Sequence, residues 1–145
     1  MRPDYNNVKN VLFVCKYNVF RSKIAEEYFK KINKNKKIKI ASRGFIVGGA
    51  PDRAQLTGAR MLRVKLKGKP KPVNLKELLK ADLIILIADD VPKIMFNYWL
   101  APLEKKIIVW KIKDEQRKNM RNIEKIVNRI KKNIEKLVKD LSNVK

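Results

Sequence analysis

The ten residues ADLIILIADD, 81–90, constrain this chain more than any other stretch. Strands on a half-exposed sheet alternate apolar and polar side chains. An unbroken apolar run of strand length instead suits a central strand of a parallel sheet, covered on both faces. A sheet of that kind needs helical crossovers between its strands, and the flanking sequence supplies both. NVLFVC, 10–15, is a short β-branched apolar run, KNKKIKIAS, 34–42, sets Ile38 and Ile40 between lysines, and KKIIVWKI, 105–112, reads as a fourth strand.

Helical patterns fill the gaps. Ser22 opens a segment that places Ile24, Ala25, Tyr28, Phe29 and Ile32 on one face, with Glu26 and Glu27 early in it. Gly44, Gly48, Gly49 and Pro51 mark a loop. A helix is expected from about Asp52 to Val64, with Leu56, Ala59, Met61 and Leu62 on or near its inner face. KGKPKPV, 67–73, is a basic, proline-broken connector before the short helix LKELLK, and VPKIMFNYWLAPL, 91–103, is a loop-and-helix segment holding Phe96, Tyr98 and Trp99. From Gln116 to Leu141, apolar residues recur in steps of three and four, the pattern of a long amphipathic helix. The alternation predicts an α/β fold of three layers: a four-stranded parallel sheet with helices on both faces. No repeat or linker divides the 145 residues, so 1–145 is expected to be a single domain.

Cysteine and histidine usage narrows the chemistry. With one cysteine and no histidine, an internal disulfide is impossible and a zinc site has almost no ligands left. No metal and no cofactor is expected. Asp89 and Asp90 end the third strand and are best read as a solvated strand end, not a magnesium site. No apolar run reaches the ~18 residues that span a bilayer. The first ten residues, MRPDYNNVKN, lack the apolar stretch of a secretory leader, so a cytoplasmic location is expected. Lys and Arg total 36 against 14 Asp and Glu, a formal net charge of +22, which attracts anions of any kind and keeps nucleic acid among the candidate partners.

Ligands of open parallel sheets bind outside the carboxyl ends of the strands, where the strand order reverses. Cys15 sits at such an end, followed after five residues by Arg21 and Ser22 and then by an amphipathic helix. The residues between can curl so that their backbone N–H groups converge, making an anion-binding nest at a helix N-terminus. Arg21 offers a planar fork that matches phosphate oxygens. A thiolate is the attacking form of cysteine, and positive groups of this kind favour it. Ser22 is placed to cap the helix and to donate its hydroxyl to the sulfur.

These residues carry a resemblance. VLFVC (11–15), Asn18, Arg21, Ser22, Ala25 and Glu26, then Ser42 and Gly44 in ASRG, ADLIILI, and WKIKD before the last helix stand in the order of the low-molecular-weight protein-tyrosine phosphatases. The resemblance covers nearly the whole chain and implies a flavodoxin-like, phosphotyrosine phosphatase I-like fold. It implies that Cys15 attacks a phosphomonoester, phosphotyrosine in a protein or a small aryl phosphate, and that water hydrolyses the resulting cysteinyl-phosphate to release inorganic phosphate. Lys16, Tyr17, Asn18, Val19, Phe20, Arg21 and Ser22 would then form the phosphate cradle, braced by Asn18 and Ser42. Asp114 would be the general acid, in the place where the family takes an aspartate normally followed by proline. Here Glu115 follows it. Tyr17 stands for a usual glycine, Phe20 for a frequent second cysteine, and Lys23 for a helix-starting proline. Arsenate reductases share the fold and loop, but thioredoxin-coupled ones relay electrons through further cysteines, so this chain would need an external thiol. A protein that keeps the cradle to bind phosphate or nucleic acid without efficient turnover is the non-enzymatic alternative.

Overall fold

A computed structural model of the protein describes residues 4–89, 103–113 and 119–142. Four strands, β1 (Asn10–Cys15), β2 (Lys39–Gly44), β3 (Leu83–Ile87) and β4 (Ile107–Trp110), form one sheet in the order β2-β1-β3-β4, every neighbouring pair parallel. The helices are α1 (Arg21–Ile32), α2 (Arg53–Met61), α3 (Leu75–Lys80) and α4 (Met120–Ser142). All five residues of β3 are buried, as an unbroken apolar run in a central strand requires.

Side-chain alternation along the central strands divides the interior into two cores. Val11 and Phe13 of β1 and Leu83, Ile85 and Ile87 of β3 face α1, α2 and α4. Leu12, Val14, Ile84 and Leu86 face the other way, with Leu78 of α3 and Leu103. Helix α4 buries Ile123, Ile126, Val127, Ile130, Ile134, Leu137 and Leu141. Each is worth about 2 kcal/mol of transfer free energy, so packing rather than propensity holds this helix in place.

Three sequence expectations need correction. Strand β2 begins at Lys39, not residue 34, because the asparagines before it form their own turn. Asn33 Nδ2 donates to the Asn35 carbonyl at 2.8 Å, and Lys37 N donates to Asn35 Oδ1 at 3.1 Å, drawing this stretch away from the ladder. Helix α2 turns Ala54, Gln55, Gly58 and Ala59 inward, leaving Leu56 and Met61 exposed. Its start is set by Asp52, whose side chain accepts from Gln55 N while Gln55 Oε1 accepts from Asp52 N. The inward glycine permits that orientation: a Cβ on Gly58 would lie 2.6 Å from Ile123 Cγ2 and 3.1 Å from Val127 Cγ2 of α4. The third correction concerns Ser22. Helix α1 begins one residue earlier, at Arg21, with Phe20 at the cap position and no side-chain capping bond.

The chain crosses from β1 to β2 on one side and places β3 and β4 on the other, so strand order reverses between β1 and β3. Cys15 ends β1 at that reversal, where a crevice is expected. Among the described residues no helix is long and apolar enough to cross a membrane.

Candidate active site

Residues 16–20 join β1 to α1, and the loop after β2 sets their conformation. Phe45 N donates to the Cys15 carbonyl (3.0 Å), Ile46 N to Lys16 O (2.8 Å) and Gly48 N to Tyr17 O (3.2 Å). There are no cis peptides in the described chain. A trans peptide plane points each carbonyl opposite to the next residue's N–H. Three carbonyls tied outward therefore turn the N–H groups of Lys16, Tyr17 and Asn18 inward. The Asn18 N–H is seen to do so, donating to Cys15 Sγ at 3.3 Å.

Close backbone approach makes this arrangement possible. A Cβ on Gly44 would lie 2.7 Å from both Asn18 N and Tyr17 C. Asn18 itself takes φ of 54°, a left-handed conformation that asparagine tolerates better than most residues. Neither Tyr17 nor Phe20 is among the residues with positive φ, so replacing the family's glycine by tyrosine costs no left-handed strain. Lys16 Nζ lies 5.2 Å from the centre of the Tyr17 ring. Phe20 is buried in the core shared by α1, α2 and α4, and Val19 is buried with its Cγ2 against Gly48. These two side chains anchor the loop while the backbone shapes it.

A chain of buried hydrogen bonds fixes the sulfur's surroundings. Cys15 is 1 % exposed, and its Sγ lies 3.0 Å from Ser22 Oγ. Ser22 Oγ accepts from the Cys15 thiol and from Asn18 Nδ2 at 2.8 Å, using both of its lone pairs. The other Asn18 amide proton goes to Ser42 Oγ at 3.0 Å, and Ser42 in turn donates to Glu26 Oε1 at 2.6 Å. Asn18 Oδ1 accepts from Lys71 N at 2.9 Å. Every polar atom of this asparagine side chain is thus used, as burial demands. Ser22 serves the sulfur from the first turn of α1, not as its cap.

Arg21 is also 1 % exposed, and its Nη1 donates to the Ile112 carbonyl at 3.0 Å, so the second residue past β4 positions a guanidinium from the start of α1. Lys23, in the family's proline position, is buried with Nζ donating to the Lys67 carbonyl at 2.7 Å. Desolvation pushes its pKa down, Glu26 and Glu27 oppose that, and Lys71 and Arg43 add to it. The bond ties the basic connector 67–71 to α1, close to where Lys71 N meets Asn18.

Hydrogen bonds thus link Cys15, Asn18, Ser22 and Ser42, and Arg21 opens α1 next to Ser22. Asp114, Glu115, Asp90, Phe96, Tyr98 and Trp99 lie outside the described residues. Asp89 is exposed at the end of β3, and among the described residues no cluster of carboxylates, cysteine or histidine forms a metal site. Sequence reasoning assigned no role to Glu26, to the N–H groups of residues 45, 46, 48 and 71, or to the carbonyl of Ile112. Only Glu26 carried a usable signal, an acid one helical turn beyond Ser22. Backbone groups have no side-chain signature.

A family model, low molecular weight phosphotyrosine protein phosphatase, matches residues 10–145. No curated protein matches the chain. Among solved structures, the tyrosine phosphatase AmsI of Erwinia amylovora is 23 % identical, with a TM-score of 0.78 over 94 % of this chain and 95 % of its own. The arginine phosphatase YwlE of Geobacillus stearothermophilus is 14 % identical, with a TM-score of 0.80 over 92 % and 93 %. An arsenate reductase of Archaeoglobus fulgidus is 26 % identical, with a TM-score of 0.69 over 88 % and 98 %. The last two share the fold with a different named activity, so the structural likenesses speak to architecture. It is the match over 136 consecutive residues, 10 to 145, together with the loop built around Cys15, that places this chain in the low molecular weight phosphotyrosine protein phosphatase family.

Proposed function

We propose that the protein is a phosphatase of phosphotyrosine and similar aryl phosphomonoesters, working through a cysteinyl-phosphate. One observation carries the proposal: Cys15 Sγ faces both the Asn18 N–H (3.3 Å) and Ser22 Oγ (3.0 Å) at the mouth of a loop whose N–H groups turn inward. A loop of that form holds a dianionic phosphoryl group in front of the sulfur. Arg21 pairs with two of its oxygens and neutralises charge in the transition state. The sulfur attacks phosphorus in line, the ester P–O bond breaks, and the departing phenolate takes a proton from Asp114. In the second step Asp114, now a carboxylate, takes a proton from water as the water attacks phosphorus. The S–P bond breaks, inorganic phosphate leaves, and the Ser22 hydroxyl stabilises the returning thiolate. No metal or cofactor takes part, and a reducing compartment such as the cytoplasm keeps the thiol free.

Hydrolysis of an aryl phosphate by the wild type and by Cys15→Ser tests this. Turnover by the wild type alone supports it, whereas activity surviving in the mutant, or absent from both, refutes it. Asp114→Ala should slow aryl-phosphate turnover far more than it weakens binding of inorganic phosphate. The arsenate reductase reading is weaker, because a chain whose one cysteine is Cys15 has no internal thiol to resolve an oxidised sulfur.

A further inference from the structure

The outward face of α4 carries an ordered array of charge that the phosphatase chemistry does not use. Its seven basic residues are Arg121, Lys125, Arg129, Lys131, Lys132, Lys136 and Lys139. At about 100° per residue, six of them fall within an arc of about 80°, with only Lys131 outside it. Within that arc, from 121 to 139, every position is lysine or arginine, and all six are exposed. The buried residues Ile123 to Leu141 lie on the opposite side. A lysine excess due to composition alone would spread over the whole exposed surface of the helix. Here all but Lys131 fall in one stripe.

Among the described residues no acid forms an ion pair with that stripe. Among the described residues the ion pairs are Lys30–Glu26 and Arg43–Glu77, neither of them on α4. Of the acids on α4, Glu135 accepts a hydrogen bond from the Tyr28 hydroxyl at 2.8 Å and so faces α1. Glu124 and Asp140 sit on the flanks of the arc. At one end the charge continues off the helix: Lys113 lines a single cleft with Asn122, Lys125 and Arg129, beside Ile112 and Ile126. Lys111 is exposed two residues before Lys113.

We propose that this stripe docks on the phosphate backbone of a nucleic acid. The stripe is about 27 Å long at 1.5 Å per residue, with a cation every three or four residues. It contains no apolar or aromatic side chain. Protein partners are held by apolar and aromatic anchors, which the stripe lacks. Helices that lie in a membrane surface insert an apolar face, and that of α4 is buried in the core. What remains is a long polyanion recognised by charge alone, and a duplex presents about eight phosphates per strand over this length at 3.4 Å each.

Fluorescence anisotropy of a labelled 20-base-pair duplex, titrated with the full chain at several salt concentrations, tests this independently of any phosphatase activity. With about five phosphates neutralised, log K against log salt should fall with a slope of about −4 to −5. The variant Lys125→Gln, Arg129→Gln, Lys132→Gln, Lys136→Gln should make that slope shallower by about 3 to 4, at about 0.9 per contact. A variant with Lys125, Lys132 and Lys136 changed to Arg should bind like the wild type. A control of equal charge, Lys34→Gln, Lys36→Gln, Lys37→Gln, Lys65→Gln, removes exposed lysines off α4 and should leave the slope nearly unchanged. The proposal is overturned if the control weakens binding as much as the stripe variant, or if the wild type does not bind at physiological salt. It is equally overturned if anionic phospholipid vesicles or polyglutamate bind the wild type more tightly than the duplex does.

Discussion

Replacing Gly44 by alanine adds one carbon where the structure has no room for it. The new Cβ would stand 2.7 Å from Asn18 N, 2.7 Å from Tyr17 C and 2.9 Å from Ile46 O. All three atoms are backbone, so no rotamer change relieves the contact. Ordinary carbon contacts begin near 3.4 Å, and the loop over Cys15 must therefore retreat by several tenths of an ångström. Overpacking of this kind costs about 1–3 kcal/mol. For a chain of this size a loss of about 2 kcal/mol lowers Tm by roughly 6 °C. The larger effect falls on chemistry, because functional groups need placement within about 0.5 Å and a 1 Å error costs about 10²-fold. Gly44→Ala should reduce kcat/KM for an aryl phosphate by about 10- to 10²-fold. Gly58→Ala is the matched control: its Cβ meets Ile123 and Val127 of α4, and gain in helix propensity of about 1 kcal/mol partly offsets the crowding. It should lose about 1 kcal/mol and keep its kcat/KM within a few-fold. Thermal melts and steady-state kinetics of both variants decide the matter. A Gly44→Ala protein with unchanged Tm and activity would refute the claim that this glycine is required by close approach.

Glu26→Gln replaces the acceptor of the Ser42 hydroxyl with an amide that can present a donor instead, in competition with Asn18 Nδ2. It should slow aryl-phosphate turnover several-fold while shifting Tm by only a few degrees, and loss of stability without a change in kcat would contradict the ordered hydrogen-bond chain. Tyr28 has its pKa pushed up to about 12, first by burial and then by the Glu135 carboxylate that accepts its hydrogen bond. The folded state therefore keeps a proton that the unfolded chain releases near pH 10. Its contribution is complete below pH 10 and disappears as pH rises through 12. Denaturation of wild type and Tyr28→Phe at several pH values should show a stability gap of about 2 kcal/mol that narrows across this window; a constant gap would contradict it. Lys106, whose pKa burial pushes down, carries the opposite sign. Burial penalises its charged form at neutral pH, and this penalty is relieved as pH rises through its lowered pKa towards 10.5, so the stability of the wild type relative to Lys106→Met should rise across that window in an alkaline denaturation series.

Much of this protein was legible in its sequence because the relevant signals are local and periodic. The unbroken run of β3 marked a doubly covered strand, and the three-and-four spacing of Ile123 to Leu141 marked the buried stripe of α4. Cys15, Arg21 and Ser22 were recognisable from their place between a strand and a helix. The boundaries were less legible. Side-chain hydrogen bonds of Asn33 and Asn35 delayed β2, and an inward Gly58 rotated α2 so that Leu56 and Met61 face solvent.

Fold class and the identity of the groups around the sulfur can be read from the amino acids alone, since hydrophobic periodicity and side-chain chemistry are written residue by residue. Their arrangement around one another comes from packing between distant segments. The loop after Cys15 is shaped by the N–H groups of residues 45, 46 and 48, the asparagine that orders it is completed by Lys71 N, and its arginine is held by the carbonyl of Ile112. These contributions come from backbone atoms that every residue possesses. Only the register of the parallel sheet, which sets Cys15 opposite Gly44, brings them to the site.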